Sequence, residues 1–147
     1  MTTSHSSQDL PTYPDIELLT QNELHKDETR RNILQGEWSQ CHKFKFPSSC
    51  VHGMKRKLSY TYLVNNKWLR YSISNNSVCC AYCVLFGKEG AGNQTGTFSS
   101  RTQGFTDWSN IGWLAQYHDR SVAHFDASAK GDNFFRVTLG VQRDICG

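Results

Sequence analysis

Hydrophobic and polar positions change period along this chain, and each change marks an element. Trp68 to Ile73 alternates, so Leu69, Tyr71 and Ile73 share one face of an extended segment. Asn75-Asn76 is a turn signal, and Ser77 to Phe86 reads as a returning strand, so the pair predicts a β-hairpin. Further on the period lengthens. Ile111, Leu114, Ala115, His118, Val122 and Phe125 follow helical spacing, and Thr106 or Asp107 is placed to cap a helix beginning at Trp108. His124 lies six residues beyond His118, about 240° around a regular helix. For both imidazoles to face one point, the turn near Asp119-Arg120 must loosen, with Ser121 capping a second short helix.

Elsewhere the pattern is weaker. Phe44-Lys45-Phe46-Pro47 reads as extended, because Pro47 moves its predecessor out of the helical region. Leu58 to Val64 is rich in β-formers and predicts a strand or extended arm. Gly87 to Gly104 predicts a loop. A loose helical pattern runs from Asp15 to Leu34 within a Ser/Thr-rich, acidic start, so residues 1–37 are expected to be a disordered or partly helical tail. The expected fold class is α+β: a small domain over residues 38–127, built on the hairpin and one or two short helices, with poorly ordered tails at 1–37 and 128–147. The last of these carries no assignable pattern.

Composition says what must hold such a domain together. Of 147 residues, 37% are hydrophobic and the mean hydropathy is −0.59. An apolar core alone would be thin, and a metal staple is plausible on energetic grounds. Cys80-Ala81-Tyr82-Cys83 places two thiols one tight turn apart. His118 follows after 34 intervening residues and His124 after five more. That set predicts a structural Zn²⁺ site of the Cys₂His₂ type, with Cys80, Cys83, His118 and His124 as ligands and Asp119 as a candidate partner for an imidazole N–H. Cys41-His42 and Cys50-Val51-His52 have unusual spacing and read as ordinary side chains. Trp68, Trp108 and Trp113 read as core rather than as base-stacking platforms, whereas Tyr60 and Tyr62 beside Lys55-Arg56-Lys57 are candidates for nucleic-acid contact.

Charge is unevenly spread. Residues 1–37 hold seven acids and three bases, while residues 38–88 hold eight bases and no acid. A one-sign block running into a metal site points either to a polyanionic partner such as a nucleic acid or to a solvated basic surface. Lys55, Arg56, Lys57, Lys67 and Arg70 are the candidate phosphate contacts. The alternative is a zinc-scaffolded protein-interaction module. No signal peptide is visible, and no apolar run is long enough for a membrane span. An enzyme is not expected. A zinc deaminase needs His-x-Glu ahead of Pro-Cys-x-x-Cys, whereas here the histidines follow the cysteines and no Glu adjoins them. The setting of Cys80 and Cys83 also lacks the strand-to-helix pattern of a thioredoxin-like redox pair.

Four groups of residues, in order, carry a resemblance: Trp68-Leu69-x-Tyr71-Ser72, Cys80-x-x-Cys83-x-Leu85-Phe86, Gly104-Phe105-x-Asp107-Trp108 and His118-x-x-Ser121-x-x-His124. Over roughly Phe44 to Ala127 the chain resembles the TTF-type zinc finger of hAT-superfamily transposases and their domesticated relatives, including MYM-type zinc-finger-like proteins. The resemblance implies a zinc-dependent DNA-binding module, nuclear localisation, and Cys80, Cys83, His118 and His124 as ligands. Cys79 stands where the family often has a plain hydrophobic residue, which implies a core role. Full-length relatives carry a C-terminal RNase-H-like catalytic core, so the resemblance leads one to expect a truncated or fragmentary copy without transposition activity of its own.

Overall fold

The structure, a computed structural model, describes residues 13–36, 44–87, 97–100 and 103–146. In chain order, a 3-10 turn at Ile16–Leu18 leads to α1 (Gln21–Leu24) and α2 (Asp27–Gln35). A first hairpin follows, β1 (Ser49–Val51) and β2 (Met54–Arg56), then α3 (Tyr60–Asn65). The central hairpin is β3 (Leu69–Ser72) and β4 (Ser77–Cys80), followed directly by α4 (Ala81–Phe86). The chain ends in α5 (Ile111–Asp119) and α6 (Val122–Cys146).

The central hairpin organises the rest because both of its faces are covered. Every residue of β3 and β4 is buried. The antiparallel register pairs Leu69 with Cys80 and Tyr71 with Val78, and these four join the larger core of Phe98, Phe105, Trp108, Ile111 and Ala127. The alternate positions, Arg70 paired with Cys79 and Ser72 with Ser77, face the other way. There Cys79 packs with Ile16, Leu24, Ile33 and Leu34 from the N-terminal segment, in keeping with a core role for this thiol. The period-2 pattern is therefore real, but its second face is a second core. Ile73, expected inward with Leu69 and Tyr71, has already entered the turn and is 40% exposed. That turn closes at Asn76, whose φ of 50° suits an asparagine.

The N-terminal segment is held by polar contacts as well as burial. The Asp15 carboxylate accepts from Ser72 Oγ at 2.7 Å and from the Ser74 N–H at 3.0 Å. Glu17 accepts from Asn75 Nδ2 and from Ser77 Oγ. Tyr13 Oη accepts from the Tyr71 N–H at 2.9 Å. Two acids from the acidic start thus pin the turn of the hairpin. Gly104 permits a close pass beside them, since a Cβ there would fall 2.6 Å from the Val78 carbonyl oxygen. Of the expected tail at 1–37, the described part is helical and packed.

Three expected elements differ. The return strand stops at Cys80, because its sulfur accepts the Cys83 N–H at 3.4 Å and caps α4 over Ala81–Phe86. Leu58 to Val64 is not a strand. Tyr60–Asn65 is helical, which buries Leu63 while Leu58 is buried just ahead of it, and tertiary packing overrides local β-propensity. The helix expected from Trp108 begins at Ile111, after a turn in which the Asp107 carboxylate takes hydrogen bonds from Ser109 and Asn110. The β1–β2 hairpin is an element that no alternation along the sequence announces. Its turn is His52-Gly53, both at positive φ (52° and 80°), as a two-residue hairpin turn requires.

Residues 128–146, expected to be a poorly ordered tail, continue one long helix that begins at Val122. α6 runs unbroken across Gly131, where the Tyr82 ring of α4 lies so close that an added Cβ would meet its Cδ1 at 2.4 Å. In an exposed helix, Gly to Ala gains about 1 kcal/mol. Here Gly131→Ala is expected to cost about 1–3 kcal/mol instead, because the ring must be displaced from a packed site. Urea unfolding of the zinc-loaded variant measures the sign.

Candidate zinc centre

The four predicted ligands meet. Cys80 ends β4, Cys83 lies in the first turn of α4, His118 is in the last turn of α5 and His124 in the first turn of α6. Their ligand atoms all lie within 4.8 Å of one another. Cys80 Sγ is 3.4 Å from His124 Nδ1, Cys83 Sγ is 3.4 Å from His118 Nε2, and Cys83 Sγ is 3.8 Å from His124 Nδ1. Zn–S bonds of about 2.3 Å and Zn–N bonds of about 2.0–2.1 Å in a tetrahedron place S and N roughly 3.5 Å apart. The donor set and its spacing therefore fit Zn²⁺, with four protein ligands closing the site.

Ser121 explains how two histidines six residues apart face one point. α5 ends at Asp119 with Arg120 as its cap. Ser121 Oγ then donates to the His118 carbonyl at 2.8 Å and accepts the His124 N–H at 3.1 Å. One hydroxyl thus closes the first helix and starts the second, and the chain changes direction between the ligands. The loosened turn and the Ser121 cap are as expected, but the second helix is long rather than short. The change of direction also redirects the apolar stripe. Val122 and Phe125, expected inward, are 75% and 71% exposed, and the buried line continues through His124, Ala127 and Gly131.

The imidazoles are oriented by their surroundings. His124 Nε2 lies 3.3 Å from Ser128 Oγ and 3.7 Å from Asp119 Oδ1. The same carboxylate oxygen accepts from Trp68 Nε1 at 3.1 Å. Trp68 packs on both rings, at centroid distances of 4.7 Å to His118 and 5.1 Å to His124, and Phe98 lies 5.2 Å from His118. The hydrogen bond at His124 Nε2 is therefore with Ser128 rather than with the expected Asp119, which stands 3.7 Å off and holds Trp68, the ring that covers both imidazoles. The place of Trp68 at the mouth of the central hairpin is the signal that could have assigned it. The two thiols are not equivalent. Hydrogen bonding with Cys80 first, then with the imidazoles of His118 and His124, holds Cys83 well below the usual thiol range, while burial pushes Cys80 up. Metal binding takes both as thiolates.

The expected phosphate contacts divide. Lys55, Arg56 and Lys57 are exposed on and just after β2, and Lys67 is exposed before β3. Arg70 is not available: it is 6% exposed. Its guanidinium donates to the carbonyls of Ile33 (2.9 Å), Leu34 (3.2 Å), Lys67 (2.6 Å) and Leu69 (2.9 Å), with the Tyr13 ring 5.3 Å away. Two of those carbonyls belong to the last turn of α2, where the helix leaves acceptors unpaired. Burial lowers the pKa of Arg70 from its ordinary value. Trp68 and Trp108 are core, but Trp113 is 61% exposed. Tyr60 and Tyr62 are half-buried against the core. Cys50 is exposed, and His52 turns to Asp107 at 3.2 Å. Cys41 and His42 lie outside the described residues, as do residues 88–96 and 101–102 of the expected loop.

Two thiols and two imidazoles converging at the junction of a β-hairpin and three helices define a zinc-binding module of α+β architecture. Along 107 aligned residues, 69% of its length, the chain is 33% identical to Zinc finger MYM-type protein 5 of Mus musculus. Over the same share it is 31% identical to the proteins of that name from Macaca fascicularis and Homo sapiens. This is distant homology to MYM-type zinc finger proteins, and the chain spans only 16% or 15% of those relatives' lengths. No family model matches the chain, and no solved structure matches it. No helix among the described residues is long and apolar enough to cross a membrane.

Proposed function

We propose that this zinc module binds double-stranded DNA through the β1–β2 hairpin and is a non-catalytic, nuclear, TTF-type finger of transposase-derived origin. The observation that carries the reading is the hairpin itself. Met54, Lys55 and Arg56 are all exposed on β2, Lys57 follows, and among the described residues none of Lys55, Arg56, Lys57 or Lys67 meets a carboxylate. Unpaired cations on a projecting ribbon suit phosphate contact, which anchors a protein on a duplex without reading its sequence. The His52–Asp107 contact ties the ribbon's tip to the zinc-bearing body. Asp107 is held ionised down to about 2, chiefly by the Asn110 hydrogen bond.

With four cations engaged, log K is expected to fall with log salt at a slope of about −3 to −4. Reversing charge at Lys55, Arg56 and Lys57 together should abolish duplex binding while leaving zinc content unchanged. A flat salt response, or binding that survives the reversal, removes the proposal. The protein-interaction reading draws on a different observation, the exposure of Val122, Phe125 and Val137 along α6. On that reading the reversed variant still captures its partner.

A further inference from the structure

A second exposed surface adjoins the basic hairpin. Trp113, Gln116, Tyr117 and Arg120 follow at i, i+3, i+4 and i+7, and all four are exposed, the two aromatics at 61% and 71%. They line one side of α5 and its cap. The one acid of this helix, Asp119, is 59% exposed but stands off that line, six residues and about 240° from Trp113, and its carboxylate accepts from Trp68 Nε1. The stripe is therefore aromatic and cationic, without an acid of its own. It is also joined to the hairpin. His52 Nε2 lies 3.2 Å from Asp107 Oδ2, Asn110 Nδ2 donates to that same oxygen at 2.8 Å, and Trp113 Nε1 donates to Asn110 Oδ1 at 3.0 Å. These contacts hold the polar edge of the indole in place and leave much of the side chain open to solvent.

The domain is short of apolar side chains, yet it leaves Trp113 outside while Trp68 and Trp108 are buried. We infer that this face of α5 is a stacking platform for unpaired nucleobases, so that single-stranded DNA is a ligand of the same surface. The hairpin cations and Arg120 take the phosphates, and Trp113 and Tyr117 take the base faces. Bases within a duplex already stack on one another and offer no such face, whereas every unpaired base does. The inference rests on the nucleic-acid reading above and adds the kind of strand.

The test uses the zinc-loaded full chain, in which Trp113 is the one exposed tryptophan among the described residues, with Trp38→Phe to remove the tryptophan that lies outside them. Titration with a short oligo(dT) is expected to quench tryptophan emission. Trp113→Ala should weaken oligo(dT) binding roughly tenfold, with zinc content and duplex affinity unchanged, and Trp113→Phe should restore most of it. Duplex binding with no quenching and no effect of Trp113→Ala on oligo(dT) overturns the inference and leaves the duplex reading standing. Failure to bind either strand form overturns both. If Trp113→Ala disrupts self-association in sedimentation while oligo(dT) affinity holds, the face is a protein contact and the inference falls.

Discussion

Cys80→Ser is expected to lose one equivalent of zinc and, with it, the fold. The four ligands come from the β4–α4 junction and the α5–α6 junction, which are far apart in sequence, so the ion closes the chain as well as filling a site. Structural zinc contributes roughly 10–16 kcal/mol of apparent binding energy at neutral pH, and that energy appears only when the site folds. This is comparable to the whole net stability of about 5–15 kcal/mol typical of a domain. Native mass spectrometry gives the metal content, and far-UV circular dichroism gives the helix content. Cys79→Ser is the control: its thiol is buried next door but is not among the four ligands, so that variant should keep its metal and lose only modest stability. A Cys80→Ser protein with one zinc and an unchanged melting curve would sink the assignment. Acidification should act in the same direction. The metal-bound form needs thiolates and neutral imidazoles, so protons compete with the ion for the four ligands. The stability the ion brings is present at neutral pH and is lost as pH falls through the range in which the ligands protonate.

Arg70→Ala should be the most damaging substitution outside the metal site, costing about 3 kcal/mol or more. A charged donor bonded to buried carbonyls contributes about 1.5–3 kcal/mol per bond, and its loss leaves acceptors unpaired in the interior. Arg70→Lys should recover little, because an ammonium cannot span carbonyls on both α2 and the start of β3. Lys55→Ala, on the exposed ribbon, is expected to stay within about 0.5 kcal/mol of the parent. Urea midpoints of the three variants decide the matter. Equal midpoints for Arg70→Ala and Lys55→Ala would return Arg70 to the set of surface cations.

What could be read from the residues was what depends on local spacing. The central hairpin, the four ligands, the break between His118 and His124 and the capping role of Ser121 all follow from periods of 2 and 3.6 and from the reach of a metal. What could not be read depends on a second layer. Arg70 looked like one more base in a run without acids, because nothing in its neighbourhood announces that α2 ends against it. Trp113 looked like core because tryptophan usually is, and Val122 and Phe125 looked buried because the helical stripe was carried through the bend that Ser121 makes. Tyr60 to Asn65 is helical through packing that its own β-prone side chains oppose. The β1–β2 hairpin had a signal in His52-Gly53, but its flanking residues lack the alternation that usually accompanies such a turn.

The anchoring of Asp15, Glu17 and Tyr13 on the central hairpin bears on how the protein can be dissected. Excising the finger at residue 38, where the charge pattern changes, would remove the acceptors of Ser72, Ser77 and the Tyr71 amide. It would also strip the cover from Cys79 and leave Arg70 without the Ile33 and Leu34 carbonyls. A useful expression boundary therefore lies ahead of Tyr13, and the acidic leader travels with the metal-binding half as part of one folding unit.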